Sequence, residues 1–158
     1  MKKIVLMIAM LSICCACSKP MVSGTVTENN KVFTKDYAAT PNQTYYAVRW
    51  ALEANGYALD SENLGQGVIT STWRSVTSDS HYIELFDRPD YGVTDSYYQL
   101  RVYVINEEGR TKVNIKAPAK TLVTNFMSSG VEEKKILASI GDYLRKHEPD
   151  VTNLGVME

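Results

Sequence analysis

Two stretches of the chain repeat apolar residues at helical spacing, and the segment between them alternates apolar with polar residues. Tyr45, Val48 and Leu52 share one helical face with Ala47 and Ala51. Thr40-Pro41-Asn42-Gln43 supplies a capping threonine, a proline for the first helical position and a capping-box glutamine. Gly56 after Asn55 supplies a stop, so the pattern predicts a helix over residues 41–55. Residues 57–61 read as a short strand. Residues 68–74 read as a β-branched strand with Ile69 and Trp73 toward the core and Val68, Thr70, Thr72 and Arg74 outward. A strand is expected over 81–86, broken by the charged, Pro- and Gly-containing loop 87–92. Residues 97–105 alternate most clearly, with Tyr98, Leu100, Val102 and Val104 against Tyr97, Gln99, Arg101 and Tyr103. Residues 106–110 form the expected hairpin connection to a return strand over 111–117, which buries Val113 and Ile115 and ends at Pro118. Residues 121–127 are apolar and short enough for either element type. Ser129-Gly130-Val131-Glu132 then reads as a second capping box, opening a helix to Lys146 or His147 with Ile136, Leu137, Ile140, Tyr143 and Leu144 as its apolar stripe.

Helix, antiparallel strands, helix is the order. Each long strand has one apolar face, which suits an antiparallel sheet covered on one side. The expected fold is therefore α+β: a two-layer sandwich in which about four or five strands are packed on one face by the N-terminal and C-terminal helices, a helix-grip arrangement. The domain is expected over residues 41–148, with a loose tail over 149–158. Residues 17–40 are rich in Ser, Thr, Asn, Lys and Gly and read as a flexible tether, in which Lys31-Val32-Phe33 is equally consistent with a short docked strand.

The beginning of the chain changes the picture. Lys2 and Lys3 precede an apolar run of about ten residues, too short for a membrane span, and this reads as a secretory signal over residues 1–16. Its end, Cys14-Cys15-Ala16-Cys17, resembles the lipobox of bacterial lipoproteins. In that family the cysteine becomes the new N-terminus and carries a diacylglycerol. Ala16-Cys17 fits best, with Cys15 and Cys14 as poorer registers. The resemblance implies lipidation at Cys17, with acyl chains as the membrane partner. Ser18, where an inner-membrane retention signal would place aspartate, implies the outer membrane, with the domain in the periplasm. All three cysteines lie in this segment, so a chain starting at Cys17 has no disulfide and no cysteine-based metal or redox site.

Composition narrows the partners. Removing 16 residues from 158 leaves 142, enough for one domain with its own core. Of 17 basic residues two lie in the signal, leaving 15 against 18 acidic ones. That balance argues against general nucleic-acid binding, which needs concentrated positive charge.

Candidate chemistry is sparse. Asp79, Ser80 and His81 have the residue types of a hydrolytic triad, but a triad needs convergence in space, and no G-x-S-x-G elbow exposes a nucleophile. His147 lies at a helix end, where complementing the helix dipole accounts for it. Asp87, Asp90 and Asp95 lack the spacing of a calcium loop. No catalytic residue, cofactor or metal is expected. The outer sheet face gathers Arg74, Tyr97, Gln99, Arg101, Tyr103, Lys112 and Lys116, and arginine and tyrosine are favoured at interaction surfaces. The loop with Asp87, Arg88, Asp90 and Tyr91 is a second candidate contact.

The helix ending in Gly56-Tyr57, the strand Gly67-Val68-Ile69-Thr70-Ser71-Thr72-Trp73, then Tyr98-Gln99-Leu100-Arg101-Val102 and a charged hairpin together resemble BamC-type lipoprotein domains. Those are helix-grip domains of accessory lipoproteins in outer-membrane barrel assembly. The resemblance implies a non-enzymatic, lipid-anchored envelope protein that binds another envelope protein, with a link to outer-membrane assembly. The alternatives are a module that holds a small ligand, lipid or glycan between helices and sheet, and, more remotely, a hydrolase.

Overall fold

The computed structural model describes residues 25–27, 31–77, 79–86, 88–91, 95–123 and 125–147. Cys17 and the signal segment, Asp87, and the tail over 149–158 lie outside the described residues. The chain runs β1 (Thr25–Thr27), β2 (Phe33–Tyr37), α1 (Pro41–Ala54), β3 (Leu59–Asn63), β4 (Val68–Ser71), β5 (Arg74–Ser75), β6 (His81–Leu85), β7 (Arg88–Asp90), β8 (Tyr97–Tyr98), β9 (Arg101–Glu107), β10 (Arg110–Lys116), β11 (Ala119–Thr121), β12 (Phe126–Ser128) and α2 (Val131–His147).

The main sheet has five strands in the order β2-β10-β9-β4-β3, every pairing antiparallel. Both helices lie on one face of it and pack on each other, so the fold is an α+β sandwich of the helix-grip kind. Ala47, Val48, Ala51 and Leu52 of α1 meet Ile136 and Ile140 of α2 over Ile69, Val102, Val113 and Ile115 of the sheet, all of them buried. Every strand pairing and core contact among the described residues lies within residues 25–147, so a chain starting at Ser18 contains all of the described elements.

The expected first helix forms with its cap. Thr40 Oγ1 accepts from the Gln43 amide at 3.4 Å, and Gln43 Oε1 accepts from the Thr40 amide at 3.1 Å. The second cap differs. α2 starts at Val131, which makes Glu133 rather than Glu132 the third helical residue. Ser128 Oγ donates to the Glu133 carboxylate at 2.5 Å and accepts from the Gly130 amide at 3.1 Å. Glu132 is thereby freed to accept from Tyr57.

Several expectations are corrected. The expected tether contains a structural strand: β2 pairs along its length with β10, Phe33 opposite Ile115 and Tyr37 opposite Thr111. Its Phe33 and Tyr37 pack against the core, and this burial is what fixes a segment whose composition reads as polar. Arg88-Pro89-Asp90, expected as loop, pairs with β6 instead, and its proline is tolerated on the outermost strand of that small sheet. The hairpin after β9 is tighter than expected, with two turn residues, Glu108 at φ 44° and Gly109 at φ 81°, as a primed turn requires.

The strands over 68–74 and 97–105 are each interrupted. β5, β8 and β11 continue β4, β9 and β10 into a second sheet, ordered β1-β11-β8-β5. Between β9 and β10 the register carries across the break: Arg101 faces Lys116, and Tyr98 faces Ala119. Between the other pair it does not. Thr70 faces Arg101 but Arg74 faces Tyr98, so four steps on one strand oppose three on its neighbour. An extra residue reverses the alternation beyond it. Ser71 keeps the core position two residues after Ile69, whereas beyond it Trp73 is left half-buried and Arg74 turns to the side of Tyr98. β6, β7 and β12 make a third small sheet.

Candidate functional site

The predicted outer face is partly assembled. Arg101 and Tyr103 on β9 lie across from Lys116 and Asn114 on β10, and Tyr97 lies across from Lys120. The cations on this face rest on aromatic rings: Lys116 Nζ is 6.0 Å from the Tyr103 centroid, and Lys120 Nζ is 4.3 Å from that of Trp73. Lys112 pairs with Glu107. These are neighbour-to-neighbour contacts that cross-strand packing explains. Arg74 is not among them, contrary to expectation. The bulge aims it at the helix side, where its guanidinium lies 4.9 Å from the Tyr57 centroid. Of the predicted loop, Arg88 and Asp90 are exposed on β7, and the Tyr91 ring packs 5.6 Å from that of Tyr82.

The Asp79-Ser80-His81 set does not form a triad. His81 Nδ1 is 3.2 Å from Ser80 Oγ, but Ser80 also donates to the Thr77 carbonyl and is itself buried. Asp79 is exposed and accepts from Thr77 Oγ1 rather than from the imidazole. His81 is stacked on Phe126 at 5.0 Å and tilted against Tyr98 at 4.8 Å. Its Nε2 is buried with no hydrogen bond of normal geometry. Burial lowers the imidazole pKa to about 4, against a smaller opposing pull from the Ala117 backbone. It is a core histidine.

Beside it runs a buried polar chain. Tyr57 Oη donates to Glu132 at 2.7 Å and lies 2.9 Å from Tyr98 Oη. Burial raises both phenols and the Glu133 carboxyl, and the hydrogen bonds among these groups tie α2 to the strands. Tyr57→Phe leaves the Tyr98 hydroxyl and Glu132 short of a partner and is expected to cost about 1–3 kcal/mol, read from urea unfolding. Among the described residues no three His, Cys, Asp or Glu side chains converge as a metal would require.

The concave feature lies elsewhere. A cleft of about 660 Å3 runs along β2 from Lys35 to Ala39, between the first turns of α1 and the last half of α2. Gln43 and Tyr46 form one wall, and Gly141, Tyr143, Leu144, Arg145 and His147 form the other. Tyr37 closes its base, with its hydroxyl donating to the Leu137 carbonyl at 2.5 Å, and burial raises its pKa. Gly141 keeps the floor open: a Cβ there would lie 3.6 Å from both Lys35 Nζ and the Tyr37 ring. The mouth is aromatic. Tyr143 stacks on His147 at 4.0 Å and is tilted against Trp50 at 4.9 Å, while Tyr46 and Trp50 are 52% and 41% exposed. His147 Nδ1 is 2.8 Å from the Tyr143 carbonyl, which fixes the ring at the rim.

None of these lining residues was expected as a site. Residues 35–39 fell within the expected tether, and Tyr143 and Leu144 read as ordinary stripe positions. The available signal was Tyr37, a large aromatic in an otherwise polar stretch.

No protein-family model matches the chain, and no curated protein matches it in sequence. Among solved structures, the chain is similar to that of TTHA0849 from Thermus thermophilus at 11% identity, with a TM-score of 0.37, over 74% of this chain and 98% of that one. It is similar to Ara h 8.0201 at 10% identity and a TM-score of 0.33, over 73% and 98%. Likeness this distant says nothing of function, and the fold stands on the packing described above.

Proposed function

We propose that this protein is a non-enzymatic binding module that holds a small, largely apolar molecule in the cleft between β2 and the two helices. The observation that carries this reading is the cleft itself. Its volume lies in the range of small-molecule sites, and three tyrosines and Leu144 line it beside five polar or charged side chains. The interior between helices and sheet is filled, so a ligand sits at the margin of the sandwich rather than inside it. The outer sheet face, the alternative contact surface for an envelope protein, has cations already stacked or paired, which makes it the weaker candidate. In this proposal the lipobox-like end places the module on the outer membrane through acyl chains at Cys17, facing the periplasm. The resemblance to BamC-type domains then concerns architecture and location and adds no role in barrel assembly.

The test is titration of the chain from Ser18 onward with the neutral dye N-phenyl-1-naphthylamine, followed by its fluorescence. Saturable binding is expected. Tyr46→Ala, an exposed change that leaves the core intact, should weaken it about five- to tenfold, as the loss of one aromatic contact implies. Absence of saturable binding, or the same affinity in Tyr46→Ala, would remove the reading.

A further inference from the structure

We infer that the cleft's ligand is an amphipathic anion, with an apolar body against the tyrosines and a single negative head at Lys35; this rests on the binding reading above. Three observations support the charge. First, Lys35 is on the helix-facing side of β2, opposite buried Val113, and so belongs to the cleft rather than to the outer face. Second, its ammonium lies 5.5 Å from the Tyr37 centroid and makes no ion pair among the described residues. A cation against an aromatic ring retains its attraction for an anion. Third, the other charged side chains lining the cleft are Asp36 and Arg145, and Asp36 lies across from Lys112, whose positive charge offsets it. Arg145 is paired with Asp142, which leaves Lys35 as the cation of the lining without an ion pair among the described residues.

Gly141 gives the arrangement its geometry. A methyl at this helical position would touch both Lys35 Nζ and the Tyr37 ring at 3.6 Å, so the glycine leaves the ammonium uncovered on its helix side. The apolar body would then extend along Tyr143 and Leu144 toward Tyr46. A single-chain fatty acid and a free aryl carboxylate share this chemistry.

The experiment compares two dyes with the same ring system, neutral N-phenyl-1-naphthylamine and anionic 8-anilinonaphthalene-1-sulfonate, on the chain from Ser18 onward. In Lys35→Met the anionic dye is expected to bind about fivefold more weakly at low salt, with the neutral dye within twofold of the parent, as loss of one partly exposed charge contact implies. Lys35→Arg, which keeps the charge, should restore the anionic dye and serves as a control for folding. Displacement of the bound anionic dye by oleate points to a lipid source, and displacement by 1-naphthoate points to a soluble acid. If the neutral dye binds and Lys35→Met changes neither affinity, the anion assignment fails while the cleft reading stands. If neither acid displaces the dye, the assignment fails as well. If neither dye binds, the cleft reading itself is lost and the anion assignment falls with it.

Discussion

His81→Phe is expected to unfold at nearly the parent's denaturant concentration at pH 7 and to outlast it clearly in acid. The imidazole is 2% exposed, and its pKa falls from 6.5 to about 4 on folding. The unfolded chain therefore takes up a proton first as pH drops. The stability tied to a neutral His81 is complete above 6.5 and is lost as pH falls from 6.5 toward 4. At 1.36 kcal/mol per pH unit, the loss over that window is about 3 kcal/mol. Phenylalanine preserves the flat stack on Phe126 and removes both the titration and the unpaired Nε2, at the cost of the contact with Ser80. Glu133 works in the opposite direction: its raised pKa favours protonation of the folded chain, so its contribution improves as pH falls. Comparing variant with parent at each pH cancels that term. Urea unfolding at pH 7 and pH 4.5 reads the difference, and parallel pH dependences in the two proteins would mean that His81 is not held neutral in the core.

The second large effect comes from changing glycine to alanine at two positions, with opposite results. Gly67 has φ 66°, and a Cβ there would lie 2.3 Å from the backbone carbonyl oxygen of Val104. Backbone cannot swing aside as a side chain can, and the Val104 amide is itself tied to the Gly67 carbonyl at 2.7 Å. Gly67→Ala therefore adds the left-handed penalty of about 1–2 kcal/mol to an overpacking cost of about 1–3 kcal/mol. A loss of roughly 3 kcal/mol is expected, seen as a large fall in urea midpoint with little change in slope. Gly141 lies within α2, and an alanine methyl there meets its neighbours at ordinary contact distance. Gly141→Ala is expected to gain up to about 1 kcal/mol from helix propensity. Equal effects at the two sites would contradict the placement of Gly67 against β9.

How much of this could be read from the chain differs from element to element. The first helix was legible because its cap, apolar face and stop agree, Thr40 and Gly56 marking both ends. The paired strands β9 and β10 were legible because Val102, Val104, Val113 and Ile115 alternate strictly. Arg74 was assigned to the wrong face for a physical reason: alternation carries no record of an inserted residue, and the bulge beyond Ser71 reverses every position after it. The strand β2 was only partly legible, as a short docked strand at Lys31-Val32-Phe33 weighed equally against a spacer, because Phe33 and Tyr37 dock on distant α2 and β10. The cleft was hidden for the same reason. Lys35, Tyr46 and Gly141 are separated along the sequence, and only tertiary packing makes them neighbours.

In the proposed reading, a small apolar-bodied molecule binds beside β2. Chemical-shift mapping of the isotope-labelled chain from Ser18 onward, titrated with N-phenyl-1-naphthylamine, tests it most directly. Shifts confined to residues 35–39, Gln43, Tyr46 and residues 141–147 are the predicted result. Shifts centred on Arg101, Tyr103 and Lys116 of the outer sheet face, or no saturable shift at all, would contradict it.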